Sequence, residues 1–253
     1  MNTKLLSKPA LETIDQYLHF RVGTAECAVP YFNNKHKRQR AGLRAAIGKG
    51  SPKEILDEVE IVGMKEKINP EIWTDVLLKK FMCDSDIGID CSGFAYYVLT
   101  AENKACDNGS IDRHITFPNR SFFRRLTAKF RPIENADVLT FAHEKNSKII
   151  DLKDVQPGDF ITMTGAETER NHIIVIHQVD YQNFAPTTIH YTHSIAWPED
   201  GQYGNGVRQG MIEILEPTKG ITDQTWTEKG KIGAENPTFL RAKISKTEIR
   251  RLK

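Results

Sequence analysis

Val155 to His193 reads VQPGDFITMTGAETERNHIIVIHQVDYQNFAPTTIHYTH, and this stretch decides the fold class. Val155 to Asp159 is a turn built on Pro157 and Gly158, and Phe160 to Met163 follows as a short strand. His172 to Val179 is a β-branched run that predicts a strong strand. Asp180 to Pro186 turns the chain, and Thr187 to His193 is expected to return as the hairpin partner. Val207 to Leu215 and Thr238 to Ile244 are further strand candidates.

Upstream the period changes to that of a helix. Leu11, Ile14, Tyr17 and Leu18 are helically spaced after Pro9, with Gly23 as a stop. Residues 27–34 read as extended, with a turn at Asn33-Asn34, and Ala41 to Ile47 suggest a helix ending near Gly48. Ser51-Pro52-Lys53-Glu54 is a helix start: Ser51 caps, Pro52 opens the first turn and Glu54 closes the box. Another helix is expected from Asn69-Pro70, carrying Ile72, Trp73, Val76, Leu77 and Phe81. Cys91 to Ala101 is an apolar helical run. Helices first and strands later argue for an α+β fold with a mostly antiparallel sheet. No repeat or Gly/Ser/Pro-rich linker divides residues 1–253, which are read as a single domain.

Composition narrows the function classes. The chain has 35 basic and 33 acidic residues, a net charge of +2, so no global field draws it to nucleic acid or membrane. Its 4 cysteines include no C-x-x-C pair, which argues against a disulfide scaffold, a zinc ribbon or a redox pair. At the N-terminus Leu5-Leu6 meets Ser7-Lys8-Pro9 at once, too short for a secretory apolar core. The expectation is a cytoplasmic protein with reduced thiols and no membrane partner.

One thiol stands apart. Cys91 lies where the Gly88-Ile89-Asp90 turn meets the start of a helix, facing unpaired N–H groups and the positive end of the dipole. Ser92 and Gly93 keep that first turn small, so a carbonyl can approach and the N–H groups can hold an oxyanion. Asp90 is read as a cap, because its charge opposes a thiolate. Cys27, Cys83 and Cys106 are ordinary buried or surface thiols. A cysteine nucleophile needs a base, and His172 at a strand end is placed for it. His193 or His190 would orient that ring; being three apart, they face opposite ways and only one can meet it. A metal site built from His172, His177, His190 and His193 is disfavoured, because 172–177 and 190–193 are odd separations that split across the two faces of a strand. Neither a metal nor an organic cofactor is required.

Gly88-Ile89-Asp90-Cys91-Ser92-Gly93-Phe94 resembles the D-C-S-G-F nucleophile motif of the NlpC-type papain-like cysteine peptidases. Leu152 to Phe160 resembles that family's L-x-P-G-D-L segment, and His172-Ile-Ile-Val-Ile its H-V-G-I-Y strand, with Ile174 where a small residue is usual. Tyr191-Thr192-His193-Ser194 resembles the following I-H-A segment, which favours His193 over His190 as the third residue. Pro30-Tyr31-Phe32-Asn33-Asn34 resembles the family's P-Y-x-x-G-G segment, with asparagines in place of the glycines. The resemblance implies a papain-like fold in which the nucleophile helix packs on an antiparallel sheet. Residues 35–86 would then be a helical insertion and 107–150 an irregular basic one. It implies an endopeptidase on bacterial peptidoglycan-type peptides, typically at the D-glutamyl–diamino-acid bond, working through a thioester. Cys91 would attack, His172 would shuttle the proton, His193 would orient it, and Tyr31 and Ser92 would serve the oxyanion side. The alternatives are an acyltransferase or deamidase on the same scaffold, or a non-catalytic module binding an anionic polymer. The last would use the acid-poor basic stretches at 35–50 and 113–131, with Phe117, Phe122, Phe123 and Phe130 as stacking groups. A solvated basic face with core aromatics is the plainer account of both stretches.

Overall fold

The computed structural model describes residues 2–33, 44–69, 72–118, 121, 127–165 and 171–253. It is a mixed α+β fold whose centre is a large antiparallel sheet. In chain order the main elements are β1 (Asn2–Leu5), α1 (Lys8–Leu18), β2 (Phe20–Val22), β3 (Ala25–Cys27), α2 (Pro52–Lys65), α3 (Asp75–Asp84) and α4 (Cys91–Ala105). Then come α5 (Pro132–Asn135), α6 (Val138–Ala142), β4 (Ser147–Ile149), β5 (Phe160–Thr164), β6 (His172–Gln182), β7 (Ala185–Ile195), β8 (Gly206–Glu213), β9 (Thr225–Glu228), β10 (Lys231–Ile232), α7 (Pro237–Ile244) and β11 (Lys246–Leu252). The sheet runs β10-β9-β8-β7-β6-β5-β11-β4, and β1 pairs with the C-terminal half of β6. β2 and β3 form a separate hairpin.

The apolar run in β6 is continuous because both of its faces are covered. Ile173 and Val175 pack with Phe94, Val98 and Leu99 of α4 and Ile14 and Tyr17 of α1. Ile174 and Ile176 pack on the other side with Tyr191, Ile212, Trp226 and Ala242 of α7. The sheet therefore divides two cores. The Pro157-Gly158-Asp159 turn is pinned from the far end of the chain: buried Asp159 accepts the Gln156 N–H at 2.9 Å and Arg251 Nε and Nη2 at 2.6 and 2.9 Å.

Several expectations hold in detail. Ser51 and Glu54 form the reciprocal box, Glu54 N–H donating to Ser51 Oγ at 3.2 Å and Ser51 N–H to Glu54 Oε2 at 2.8 Å. The β6–β7 hairpin forms, but its turn is only Asn183-Phe184, both with positive φ, so the strands run well past the expected ends.

Two elements differ from the reading of the sequence. Thr238 to Ile244 is not a strand but lies in α7: Asn236 Oδ1 accepts the Thr238 and Phe239 N–H groups, Pro237 opens the first turn, and the strand follows as β11. Of the helix expected from Asn69-Pro70, residues 70–71 lie outside the described residues, and the described helix is Asp75–Asp84, where Thr74 Oγ1 accepts the Leu77 N–H at 3.3 Å. That helix turns Leu78, Phe81 and Met82 inward, and Ile72, Val76 and Leu77 are exposed. Trp73, ahead of the helix, is buried as expected. Residues 34–43, 119–120 and 122–126 lie outside the described residues, and with them Asn34, most of the first basic stretch, Phe122 and Phe123. Of the other proposed stacking groups, Phe117 is core and Phe130 is exposed. Among the described residues no helix is long and apolar enough to cross a membrane.

Trp226 anchors the second core. It is fully buried, lies 5.6 Å from the Tyr191 ring and donates to the Ile221 carbonyl at 2.9 Å. Trp226→Ala is expected to cost about 3–5 kcal/mol, read from the urea midpoint at unchanged m-value.

Candidate functional site

Three backbone segments converge just before α4. Ile89 bridges Tyr31 on one side and Lys49 on the other. The Ile89 N–H donates to the Pro30 carbonyl and the Asp90 N–H to the Gly48 carbonyl, both at 2.9 Å. Ser194 Oγ, from β7, donates to the Ile89 carbonyl at 2.8 Å and ties the corner to the sheet. Such closeness requires glycine. A Cβ at Gly93 would stand 2.9 Å from the Gly48 carbonyl oxygen, and one at Gly48 (φ 75°) would run into the Phe32 carbonyl.

Asp90 caps α4 by accepting the Gly93 N–H at 2.6 Å, and Cys91 is the first helical residue. The thiol is buried. Burial pushes it up to about 12, and the Asp90 carboxylate adds to that rise. The Ile173 N–H, Lys49 and the Ser92 N–H oppose the rise but do not cancel it. The helix-start environment read from the sequence is therefore present, yet burial outweighs it. The Cys91 sulfur draws on the Ile173 N–H, which belongs to the peptide following His172.

His172 opens β6, on the face that carries Ile174 and Ile176, so the thiol and the imidazole approach the sheet's end from opposite cores. No hydrogen bond joins Cys91 to His172 among the described residues. His172 Nε2 is 2.7 Å from His193 Nδ1, and His193 Nε2 is 2.8 Å from Glu228 Oε2. Extending the Val175–Thr192 pairing places His193 diagonal to His172 on one face, within side-chain reach.

The charge on Glu228 fixes one proton position on this line. Burial raises Glu228, but His193, Arg208 and the Tyr191 hydroxyl outweigh it and bring the carboxyl down to about 2. An ionised carboxylate only accepts, so His193 Nε2 donates to it. The other His193 nitrogen, Nδ1, faces His172 Nε2, and one of the two carries the proton between them. Burial, with His193, Arg241 and Arg208 nearby, holds His172 well below 6.5, so its ring is neutral. Where His172 Nε2 carries the proton between the rings, the lone pair of the neutral His172 ring is left on Nδ1. Tyr191 donates to Glu228 Oε2 at 3.0 Å, Thr238 Oγ1 donates to the same carboxylate at 3.1 Å, and Arg208 Nη1 lies 3.5 Å from Oε1.

His190 takes no part: its Nε2 lies 3.0 Å from Asp180 Oδ2, and its face also carries His177, whose Nδ1 meets Thr192 Oγ1 at 3.0 Å. A register shift at His177 lets these side chains share that face, away from the His172–His193 pair. Tyr31 lies alongside Ile89, its N–H donating to Asn205 Oδ1 at 3.0 Å and its hydroxyl accepting from Asn33 Nδ2 at 3.3 Å. The Ser92 hydroxyl is held inward, 2.6 Å from Lys49 Nζ and 3.0 Å from Asp90, so only its N–H faces the sulfur. Cys27 is pushed up to about 11 by burial, and burial also raises Cys83. Cys106 is exposed.

Sequence reasoning missed Glu228, Arg208, Thr238 and Lys49. The alternation Thr225-Trp226-Thr227-Glu228 before Lys229-Gly230 is a legible strand signal that sets Trp226 and Glu228 on one face. Lys49 stands between two glycines in Gly48-Lys49-Gly50, a pattern with no established meaning. Comparison of the chain with family models, with curated proteins and with solved structures gives no match.

Burial brings His177 down to about 4, with His190 adding to the effect. The unfolded chain binds this proton near pH 6.5 and the folded chain does not, so stability is full above 6.5 and is lost as pH falls toward 4. Urea unfolding at pH 5 against pH 7.5 should show a loss of about 2 kcal/mol from this group, and His177→Gln should remove that share.

Proposed function

We propose that the chain is a cysteine-nucleophile amide hydrolase of papain-like fold, similar to the NlpC-type peptidases, acting on peptidoglycan-type peptides. The observation that carries this reading is the continuous line His172–His193–Glu228, together with a cysteine on the first turn of a helix whose sulfur draws on the N–H of Ile173, the residue after His172. The lone pair on His172 Nδ1 takes the Cys91 proton as the sulfur attacks the amide carbonyl. The charge that develops on the ring is balanced through His193 by Glu228. The carbonyl oxygen becomes an oxyanion, held by backbone N–H groups at the helix start with Tyr31 on its other side. The His172 Nδ1–H proton then passes to the leaving amine as the C–N bond breaks, giving a thioester on Cys91. Water, deprotonated by the same nitrogen, attacks the thioester carbon, and the C–S bond breaks to release the acid as the ring returns the proton to the Cys91 sulfur. The substrate class rests on the motif resemblance and the reaction class on the residues.

A chain with Cys27, Cys83 and Cys106 all changed to Ala should cleave a D-glutamyl–diamino-acid peptide and carry an acyl adduct on Cys91, seen by mass spectrometry. Cys91→Ala and His172→Ala should each lose at least about a hundredfold in kcat/KM. Turnover that survives Cys91→Ala overturns the reading. An added amine appearing in the product moves it to acyl transfer. Glu228→Gln keeps the shape but loses the charge, and should lower kcat at least about tenfold with KM little changed.

A further inference from the structure

Lys49 is a buried lysine at the nucleophile corner. Its Nζ donates to Asp90 Oδ1 at 2.9 Å, to Ser92 Oγ at 2.6 Å and to the Ala136 carbonyl at 2.9 Å. All three donor positions of the ammonium are thus used, and only 7% of the residue is exposed. Its backbone is held as well: Lys49 bridges Ile89, and its carbonyl accepts from Tyr97 Oη at 2.9 Å. The partners come from the turn before α4, from α4 itself and from the segment between α5 and α6.

We propose that Lys49 is the positioning residue of the nucleophile, locking Asp90 and Ser92 in place and balancing the Asp90 charge that otherwise opposes a Cys91 thiolate. This rests on Cys91 being the nucleophile. Asp90 cannot simply be dispensed with, because its carboxylate caps the helix that presents the thiol. A carboxylate one residue from the sulfur would penalise negative charge there, and the ammonium turns that liability into a neutral pair. The bond to Ser92 Oγ also fixes the residue whose N–H faces the sulfur. The titratable and charged groups around this corner are Asp90, Cys91 and Tyr97 on or beside α4, Glu54 on α2 with Arg44 beside it, and Tyr17 on α1. Glu54 reaches it through Tyr97, whose hydroxyl lies 3.2 Å from Glu54 Oε2.

The test is the second-order rate of Cys91 alkylation by iodoacetamide between pH 7 and 9, read by mass spectrometry on the full chain with Cys106 as internal reference. Lys49→Met leaves Asp90 unbalanced and should slow Cys91 at least about tenfold, the effect of about one unit in thiol acidity. Asp90→Asn keeps a capping side chain, removes the charge and should speed Cys91 several-fold. The double variant should return to within about threefold of the native rate. A native rate and pH profile in Lys49→Met overturns the proposal, and so does a double variant as slow as Lys49→Met. If Lys49→Met does not fold, Asp90→Asn decides: an unchanged or slower Cys91 overturns it. Failure of the functional reading is separate, because it shows as alkylation of Cys91 indifferent to His172→Ala.

Discussion

A buried, ionised carboxylate sets the terms for this structure. Glu228 is only 4% exposed, and a carboxylate in such a place is tolerable only when its oxygens are saturated with donors or positive charge. Tyr191 and His193 on β7, Arg208 on β8 and Thr238 on α7 meet that demand. They come from two strands of the sheet and from the helix that covers it. Gly210 lies opposite Glu228 and beside Tyr191, where a side chain would collide with the Tyr191 ring. A slip of one residue in β9 would turn Glu228 to the other face and strand every one of these donors. The carboxylate thus fixes strand register, helix docking and the proton on His193 Nε2 together.

The second constraint is that the line of histidines and the thiol belong to different cores. The sheet that separates Ile173 from Ile174 also separates Cys91 from His193, and the link between the two sides is the opening of β6, where the Ile173 N–H serves the Cys91 sulfur. A site across such a boundary depends on how firmly α4 is fastened to the strands. Ser194 Oγ on the Ile89 carbonyl provides one fastening, and the paired approach of the Tyr31 and Lys49 segments provides others. Glycines at 48 and 93 allow that approach, and a Cβ at either would force the segments apart. The small residues of the motif are therefore explained by packing between backbones, whatever chemistry is served.

Much of this was legible in the sequence for a physical reason. Period, caps and turn residues are local, so the Ser51 box, the β6–β7 hairpin and the helix starting at Cys91 could be read directly. The pairing of His172 with His193 follows from the alternation of one hairpin. Glu228 was not legible as a partner because its contact spans 35 residues and depends on β9 finding β8, which no local pattern states. Thr238 to Ile244 misled because its β-branched and aromatic residues suit a strand, while the deciding signal, Asn236-Pro237, lies just outside the run. Lys49 hides for a further reason: a lysine between glycines is usually solvated, and its burial becomes visible only when Asp90, Ser92 and Ala136 are brought round it.

The acidity of the two reacting groups bears on how the proposed attack would proceed. With the thiol pushed up to about 12 and the imidazole held well below 6.5, both groups rest in their neutral forms. Proton transfer from sulfur to ring separates charge in a place that resists charge, so each end needs its own compensation. On the sulfur side this is the Ile173 and Ser92 N–H groups and Lys49; on the ring side it is Glu228 acting through His193. An arriving carbonyl supplies the remaining step, because bond formation moves negative charge from sulfur to oxygen as the proton leaves. Nucleophilicity would then arise with substrate in place, and between turnovers a protonated thiol resists oxidation, which acts on thiolates. The burial that opposes a free thiolate would on this account be part of the device, making Cys91 more reactive toward a bound carbonyl than toward reagents in solvent.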